Sequence, residues 1–146
     1  MNLTLLGNKV EGWKSPHDAI LETIPNNQSH RYSVRMTCPE FTSRCPITGQ
    51  PDFACIVIDY IPNQFLVESK ALKLFMVSFR EHPDFHEACT NYIAMRLLVA
   101  LDPTWLRVAA FWYPRGGIPL DVFWQNKEPP PGVYVHPLDI PAYRGR

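Results

Sequence analysis

Cys45 and Asp52 are the two residues of this chain whose types and spacing suggest covalent chemistry. They stand seven positions apart in Glu40-Phe41-Thr42-Ser43-Arg44-Cys45-Pro46-Ile47-Thr48-Gly49-Gln50-Pro51-Asp52-Phe53-Ala54. A thiol attacks as its thiolate, and a carboxyl group within reach of the same reacting centre can deliver or collect the proton. Pro46, Gly49 and Pro51 impose an irregular path, because proline locks φ and glycine permits positive φ. The segment reads as too long and too rich in special residues for a simple hairpin turn. Loops held by a rigid scaffold are where chemistry is often placed. A surface loop with an ordinary buried cysteine fits the same residues, so the pair by itself leaves both readings open.

The scaffold must come from 146 residues, enough for one domain with a real core. Hydrophobic residues make up 46% and charged residues 19%, the balance of a soluble globular chain. Lys+Arg equal Asp+Glu at 14 each, so no overall charge argues for nucleic acid, and no direct nucleic-acid binding is expected. No apolar run is long enough to span a bilayer, and residues 1–7 lack the pattern of a signal peptide. Cys38, Cys45, Cys55 and Cys89 form no CxxC pair or zinc knuckle. Free thiols, a reducing cytoplasm and no metal are the expectation.

Residues 1–8 read as a short edge strand or an extended arm, and 8–30 as irregular. Tyr32, Val34 and Met36 alternate with polar residues, the period of a half-buried strand. Residues 53–61 form a second, more buried strand. A helix is expected over 68–82, with Leu72, Phe75, Met76 and Phe79 on one stripe. His82-Pro83 breaks it, and Asp84 with Glu87 has the D-x-x-E form of a capping box for a second helix reaching about Leu101. Arg96 interrupts the apolar side of that helix. Strands follow at 105–113 and 118–124, joined by Pro114-Arg115-Gly116-Gly117. Residues 126–146 are a Pro-rich tail that packs over the surface or a neighbouring subunit. The order β-β-α-α-β-β gives an α+β fold, an antiparallel sheet with two helices on one face. Its two open sheet edges suggest joining between subunits into a ring-like homo-oligomer.

Four segments meet in one pattern: 40–54, Glu68-Ser69-Lys70-Ala71-Leu72-Lys73-Leu74-Phe75, Asp84-Phe85-His86-Glu87 and Pro114-Arg115-Gly116-Gly117-Ile118. Together they closely resemble the single-module QueF family of NADPH-dependent 7-cyano-7-deazaguanine reductases of queuosine biosynthesis. The resemblance runs from about Leu3 to Asn126. It implies the tunnelling fold (T-fold), which the family shares with GTP cyclohydrolase I. It also implies pentameric rings, commonly stacked in pairs as decamers, with sites at subunit boundaries.

The implied reaction reduces a nitrile to a primary amine with two NADPH. By position, the resemblance makes Cys45 the nucleophile and Asp52 the proton donor. Val67, Glu68, Ser69, His86 and Glu87 become the substrate pocket, and Lys70, Lys73, Arg115 and Gly116 the cofactor contacts. The chemistry is coherent. A thiolate adds to the nitrile carbon to give a thioimide, and the nitrogen takes a proton from Asp52, which must then be protonated. A carboxylate at Glu87 can accept two parallel N–H bonds from a guanine-like edge, a role that competes with the capping box. No G-x-G-x-x-G follows a strand, so NADPH is expected to bind without a Rossmann unit. A reversible Cys45–Cys89 disulfide is a further expectation, protecting the nucleophile from overoxidation. Another purine- or pterin-handling enzyme of the same fold and a non-enzymatic purine-binding oligomer remain as alternatives.

Overall fold

A computed structural model describes residues 3–138; Met1, Asn2 and the tail beyond 138, parts of the two terminal expectations, lie outside it. The elements in chain order are β1 (Thr23–Pro25), β2 (Val34–Arg44), β3 (Pro51–Ile61), β4 (Phe65–Val67), α1 (Ser69–Val77), α2 (His86–Leu101), β5 (Trp105–Arg115) and β6 (Ile118–Gln125). The main sheet is antiparallel in the order β2-β3-β5-β6, so the expected two hairpins and two helices stand. Ala54, Ile56, Ile58 and Tyr60 of β3 share one face with Leu106, Val108, Ala110 and Trp112 of β5. That face packs on Leu72, Phe75, Met76 and Phe79 and on Ile93 and Leu97 of α2. Two periods thus meet in one core, two along the strands and 3.6 along the helices.

Several expectations need correction. The reactive segment is a hairpin after all: β2 continues to Arg44 and β3 begins at Pro51, leaving only residues 45–50 as the turn. The strands run further because Pro51 begins a strand, where its missing N–H costs little. The expected edge strand at 1–8 is a turn in its described part, with Gly7 at φ 79°. The irregular N-terminal arm contains β1, which pairs with β4 in a small second sheet. Neither three-residue strand is long enough to show a period. The first helix ends at Val77, and Ser78–His82 continues as turns.

The capping box does not form. The second helix is capped at Phe85 with no side-chain bond, and Asp84 Oδ1 accepts from the adjacent Phe85 N–H at 2.8 Å. Arg96, which broke the helix's apolar side, anchors the N-terminal arm. Its Nη1 donates to the Pro16 carbonyl at 2.6 Å and its Nη2 to the Ala19 carbonyl, while the guanidinium lies over the Phe75 ring. The tail crosses the sheet face that the helices leave open. Ser33 Oγ donates to the Tyr134 carbonyl at 2.6 Å. Arg35 and Arg107, both paired with Asp59, donate to the His136 carbonyl at 2.9 and 2.7 Å. Leu138 packs there on the cluster of Val57, Ala109 and Phe111.

Candidate active site

Strand parity explains how an acid comes to be buried at the end of the sheet. Asp52 falls on the same side of β3 as Ala54, Ile56 and Ile58, so it points towards the core where that core runs out. A one-residue shift between β2 and β3, with Pro39 and Glu40 as the extra pair, resets the edge strand so that Phe41 and Ser43 face inward. A matching shift between Trp112 and Arg115 brings Arg115 back to the side of Asp52. The start of α2 lies over this corner and supplies His86.

Four functional candidates therefore meet. Asp52 is 6% exposed and takes a bidentate ion pair from Arg115: Nε lies 2.7 Å from Oδ1, and Nη2 bonds Oδ2. His86 Nε2 lies 3.3 Å from Oδ2, but without hydrogen-bond alignment, so that buried nitrogen has no partner among the described residues. The His86 ring stacks on Trp112 at 4.1 Å between centroids and 5° between planes. Trp112 Nε1 donates to Thr90 Oγ1 at 3.2 Å, and Thr90 donates to the His86 carbonyl at 2.8 Å, which ties the stacked pair to the first turn of α2. Burial depresses the basicity of His86 more than Asp52 raises it, so the imidazole is neutral near pH 7.

Cys45 opens the turn. Its backbone N–H donates to the Gln50 carbonyl at 2.8 Å and its carbonyl accepts from Gly49 N–H at 2.9 Å. Gly49 sits at φ 69°, a conformation that glycine adopts without cost. This tight turn aims Thr48 N–H at Cys45 Sγ, 3.4 Å away. The Thr48 hydroxyl, then the backbone N–H groups of Thr48 and Ile47, lower the thiol pKa from 9.0 to about 7, with Arg115 adding positive charge and burial opposing. Cys89 is the contrary case: burial pushes it up to about 12, with nearby Ser43 opposing only in part. All four cysteines are free thiols.

The other candidates stand elsewhere. Val67 and Glu68 are buried, at the end of β4 and start of α1. Glu68 caps that helix: its carboxylate accepts from Lys70 N–H and Ala71 N–H, each at 2.9 Å. Lys70 Nζ donates to the carbonyls of Leu5, at 2.6 Å, and Asn8, so it ties down the N-terminal turn. Lys73 is exposed and, with Ser69 and Arg80, lines a cavity of about 550 Å³ between α1 and β2. Glu87 is exposed and its carboxylate takes no hydrogen bond among the described residues, so no cap competes for it. Gly116 shares with Asp52 and Arg115 a second cavity of about 560 Å³. Asp52 and Tyr60 lie at opposite ends of β3, roughly 27 Å apart at a strand's rise, and Tyr60 OH is what Val67 N–H meets. One copy thus holds the expected site in two separated halves.

Sequence reasoning missed Trp112, Thr90 and Thr48 as supports. Thr48 alone left a signal, three residues after the cysteine in a Pro- and Gly-bearing turn. Trp112 carries only the alternation of a strand, and Thr90 no signal at all.

Known proteins carry the same arrangement of sequence. The family model described as QueF-like protein matches residues 51–131. A protein of Allorhizobium ampelinum named NADPH-dependent 7-cyano-7-deazaguanine reductase is 62% identical over 145 residues, covering 99% of this chain and 94% of its own. A protein of the same name from Granulibacter bethesdensis is 57% identical with 99% and 95% coverage. The crystal structure of the archaeosine synthase QueF-Like in the apo form aligns with a TM-score of 0.62 at 22% identity. It covers 67% of this chain and 96% of that one, a likeness of fold.

Proposed function

This chain belongs to the QueF-like protein family, and on that premise we propose that it is an NADPH-dependent nitrile reductase that converts 7-cyano-7-deazaguanine to 7-aminomethyl-7-deazaguanine. The step belongs to queuosine biosynthesis, and the enzyme acts in the cytoplasm, where thiols stay reduced. The observation that carries the reading is Cys45, a thiol lowered to about 7 in the same corner as buried Asp52 and Arg115.

Cys45 adds to the nitrile carbon and forms a thioimide, while Asp52 supplies the proton that the nitrogen gains. His86, neutral and held by Trp112, stays next to Asp52, whose carboxylate Arg115 orients. Glu87, free of any cap, binds the amino and ring N–H edge of the base. Val67, Glu68 and Ser69 complete the pocket. Two molecules of NADPH, bound in turn, would supply the two hydrides. Its phosphates suit Lys73, an exposed cation on a cavity wall, and the half-exposed Arg115 beside Gly116; Lys70 supports that wall through the N-terminal turn. Burial of the corner keeps water from the imine stage.

The two halves of the site are best joined by two copies of the chain, with Cys45 and Asp52 from one and Glu68 and Ser69 from the next. The sheet's outer strands, β2 and β6, are open for such joining. Pentameric rings stacked as a decamer satisfy both needs. Intact mass spectrometry after mixing the protein with 7-cyano-7-deazaguanine, without NADPH, tests the chemistry. A covalent adduct is expected in the parent chain and none in Cys45→Ala; a parent chain that gives neither adduct nor NADPH oxidation rules the reading out.

A further inference from the structure

The turn near the start of the chain is tied down by two charged side chains. Glu22 holds it from one side: Oε1 accepts from the Thr4 N–H at 2.8 Å and from the Thr4 hydroxyl, and Oε2 accepts from the Leu5 N–H at 3.2 Å. Lys70 holds it from the other, through the carbonyls of Leu5 and Asn8. Both anchors are joined to the segment that carries expected base contacts. The Glu22 carbonyl accepts from the Glu68 N–H at 2.9 Å, and Lys70 directly follows Ser69 in α1. The turn and residues 67–70 therefore form one bonded unit. Its two leucines have opposite surroundings. Leu5 is 3% exposed and packs on Ala71 and Leu74 of α1. Leu6 is 54% exposed and lines a third cavity, of about 370 Å³, together with Val67, Glu68 and Ser69, Val34 of β2 and Leu66 of β4. A lone exposed leucine is ordinary on a protein surface. Leu6 differs because the bonds of its neighbours fix it on the wall of the cavity that Glu68 and Ser69 share.

We propose that Leu6 is a substrate-contacting residue: the N-terminal turn is a wall of the base pocket, Leu6 lies against a face of the deazaguanine ring, and Glu22 and Lys70 are the positioning residues that hold it there. This inference rests on the nitrile-reductase reading and adds to it a wall from outside residues 67–69, 86 and 87. A fused heterocycle has two apolar faces and a polar edge. Glu87, Glu68 and Ser69 are suited to the edge, whereas a face needs an apolar side chain. The cavity has the size and the mostly apolar walls of a small-molecule site, with few polar groups. No proton moves and no bond is made. Leu6 contributes through the apolar area that the ring takes out of water. Glu22 and Lys70 touch no substrate and act through the place they give to Leu6.

Equilibrium dialysis of 7-cyano-7-deazaguanine against the full chain carrying Cys45→Ala reads base binding without the covalent step. Adding Leu6→Ala is expected to weaken binding about tenfold, the worth of much of one leucine side chain. Leu6→Met keeps the apolar bulk and should stay within about twofold of the Cys45→Ala chain. Glu22→Ala should also weaken binding, but should add nothing once Leu6 is alanine, because it acts through that side chain. With Cys45 in place, Leu6→Ala should keep the alkylation midpoint near 7 and an unchanged melting temperature, since Leu6 is exposed and stands in the other half of the site. The proposal is overturned by base binding in Leu6→Ala within about twofold of the Cys45→Ala chain. An equal loss in Leu6→Met overturns it too, as does a Glu22→Ala loss that adds in full to that of Leu6→Ala. No base binding by the Cys45→Ala chain itself would instead sink the reductase reading.

Discussion

A single turn sets the reactivity of Cys45. The depressed thiol depends chiefly on the Thr48 hydroxyl and on backbone N–H groups of the turn, with Arg115 a smaller contributor. The rate of Cys45 alkylation against pH should therefore have its midpoint near 7 in the free protein, and Thr48→Val should move it up towards the ordinary thiol value of 9.0. An unmoved midpoint would exclude the hydroxyl as the cause. The sign for stability follows. A folded pKa below the unfolded one stabilises the fold above the unfolded value, and that contribution fades as pH falls through about 7. Asp52 makes a separate prediction. Asp52→Asn should lose turnover by roughly 10²-fold or more, the usual worth of a positioned acid, while binding of the deazaguanine changes little. Steady-state and equilibrium measurements on the same variant separate the two, and near-normal turnover would remove Asp52 from the donor role.

Elements here do two jobs at their ends. The start of α1 is closed by Glu68, whose buried carboxylate serves two orphan N–H groups, and the same residue stands in the expected substrate pocket. Glu68→Ala should lower unfolding free energy by about 1 kcal/mol, as loss of a cap does, whereas Glu68→Gln should retain part of that cap. If both variants lose substrate binding but only the alanine loses stability in denaturant titrations, the residue has both roles. The start of α2 is the reverse case. It has no side-chain cap, and its exposed Glu87 keeps both oxygens available while His86 turns inward. An uncapped helix start is tolerated because the buried His86–Trp112 stack and the Thr90 bonds hold the first turn in place.

On the scale of the whole molecule, one sheet face is covered by helices and the other by the tail. Arg35 and Arg107 share the 3%-exposed Asp59 and pass their remaining donors to tail carbonyls, so the strap is held by charge-assisted bonds as well as by Leu138. Ending the chain after residue 128 should expose Val57, Ala109 and Phe111 and cost roughly 1–2 kcal/mol, with new binding of an apolar dye. Unchanged melting and no dye binding would mean that the tail adds nothing to this face. The strap lies far from the Cys45 turn in sequence, and adduct formation should survive its removal.

Periodicity and punctuation in the sequence determined the order of the four main-sheet strands and the two helices, and the faces that form the core. These are local consequences of side-chain spacing and proline geometry. The motifs also marked Cys45 and Asp52, because a thiol and an acid in a Pro- and Gly-bearing turn announce themselves. Pairings between distant residues were not legible. The short β1–β4 sheet, the stacking of His86 on Trp112 and the hold of Lys70 on the N-terminal turn depend on contacts between 26 and 65 positions apart. Arg115 read as a cofactor contact, and only the two register shifts of the folded sheet placed its guanidinium on Asp52. A one-residue shift reverses the face of every residue beyond it, and such a shift is set by how strands pair, which the order of residues along one strand does not contain.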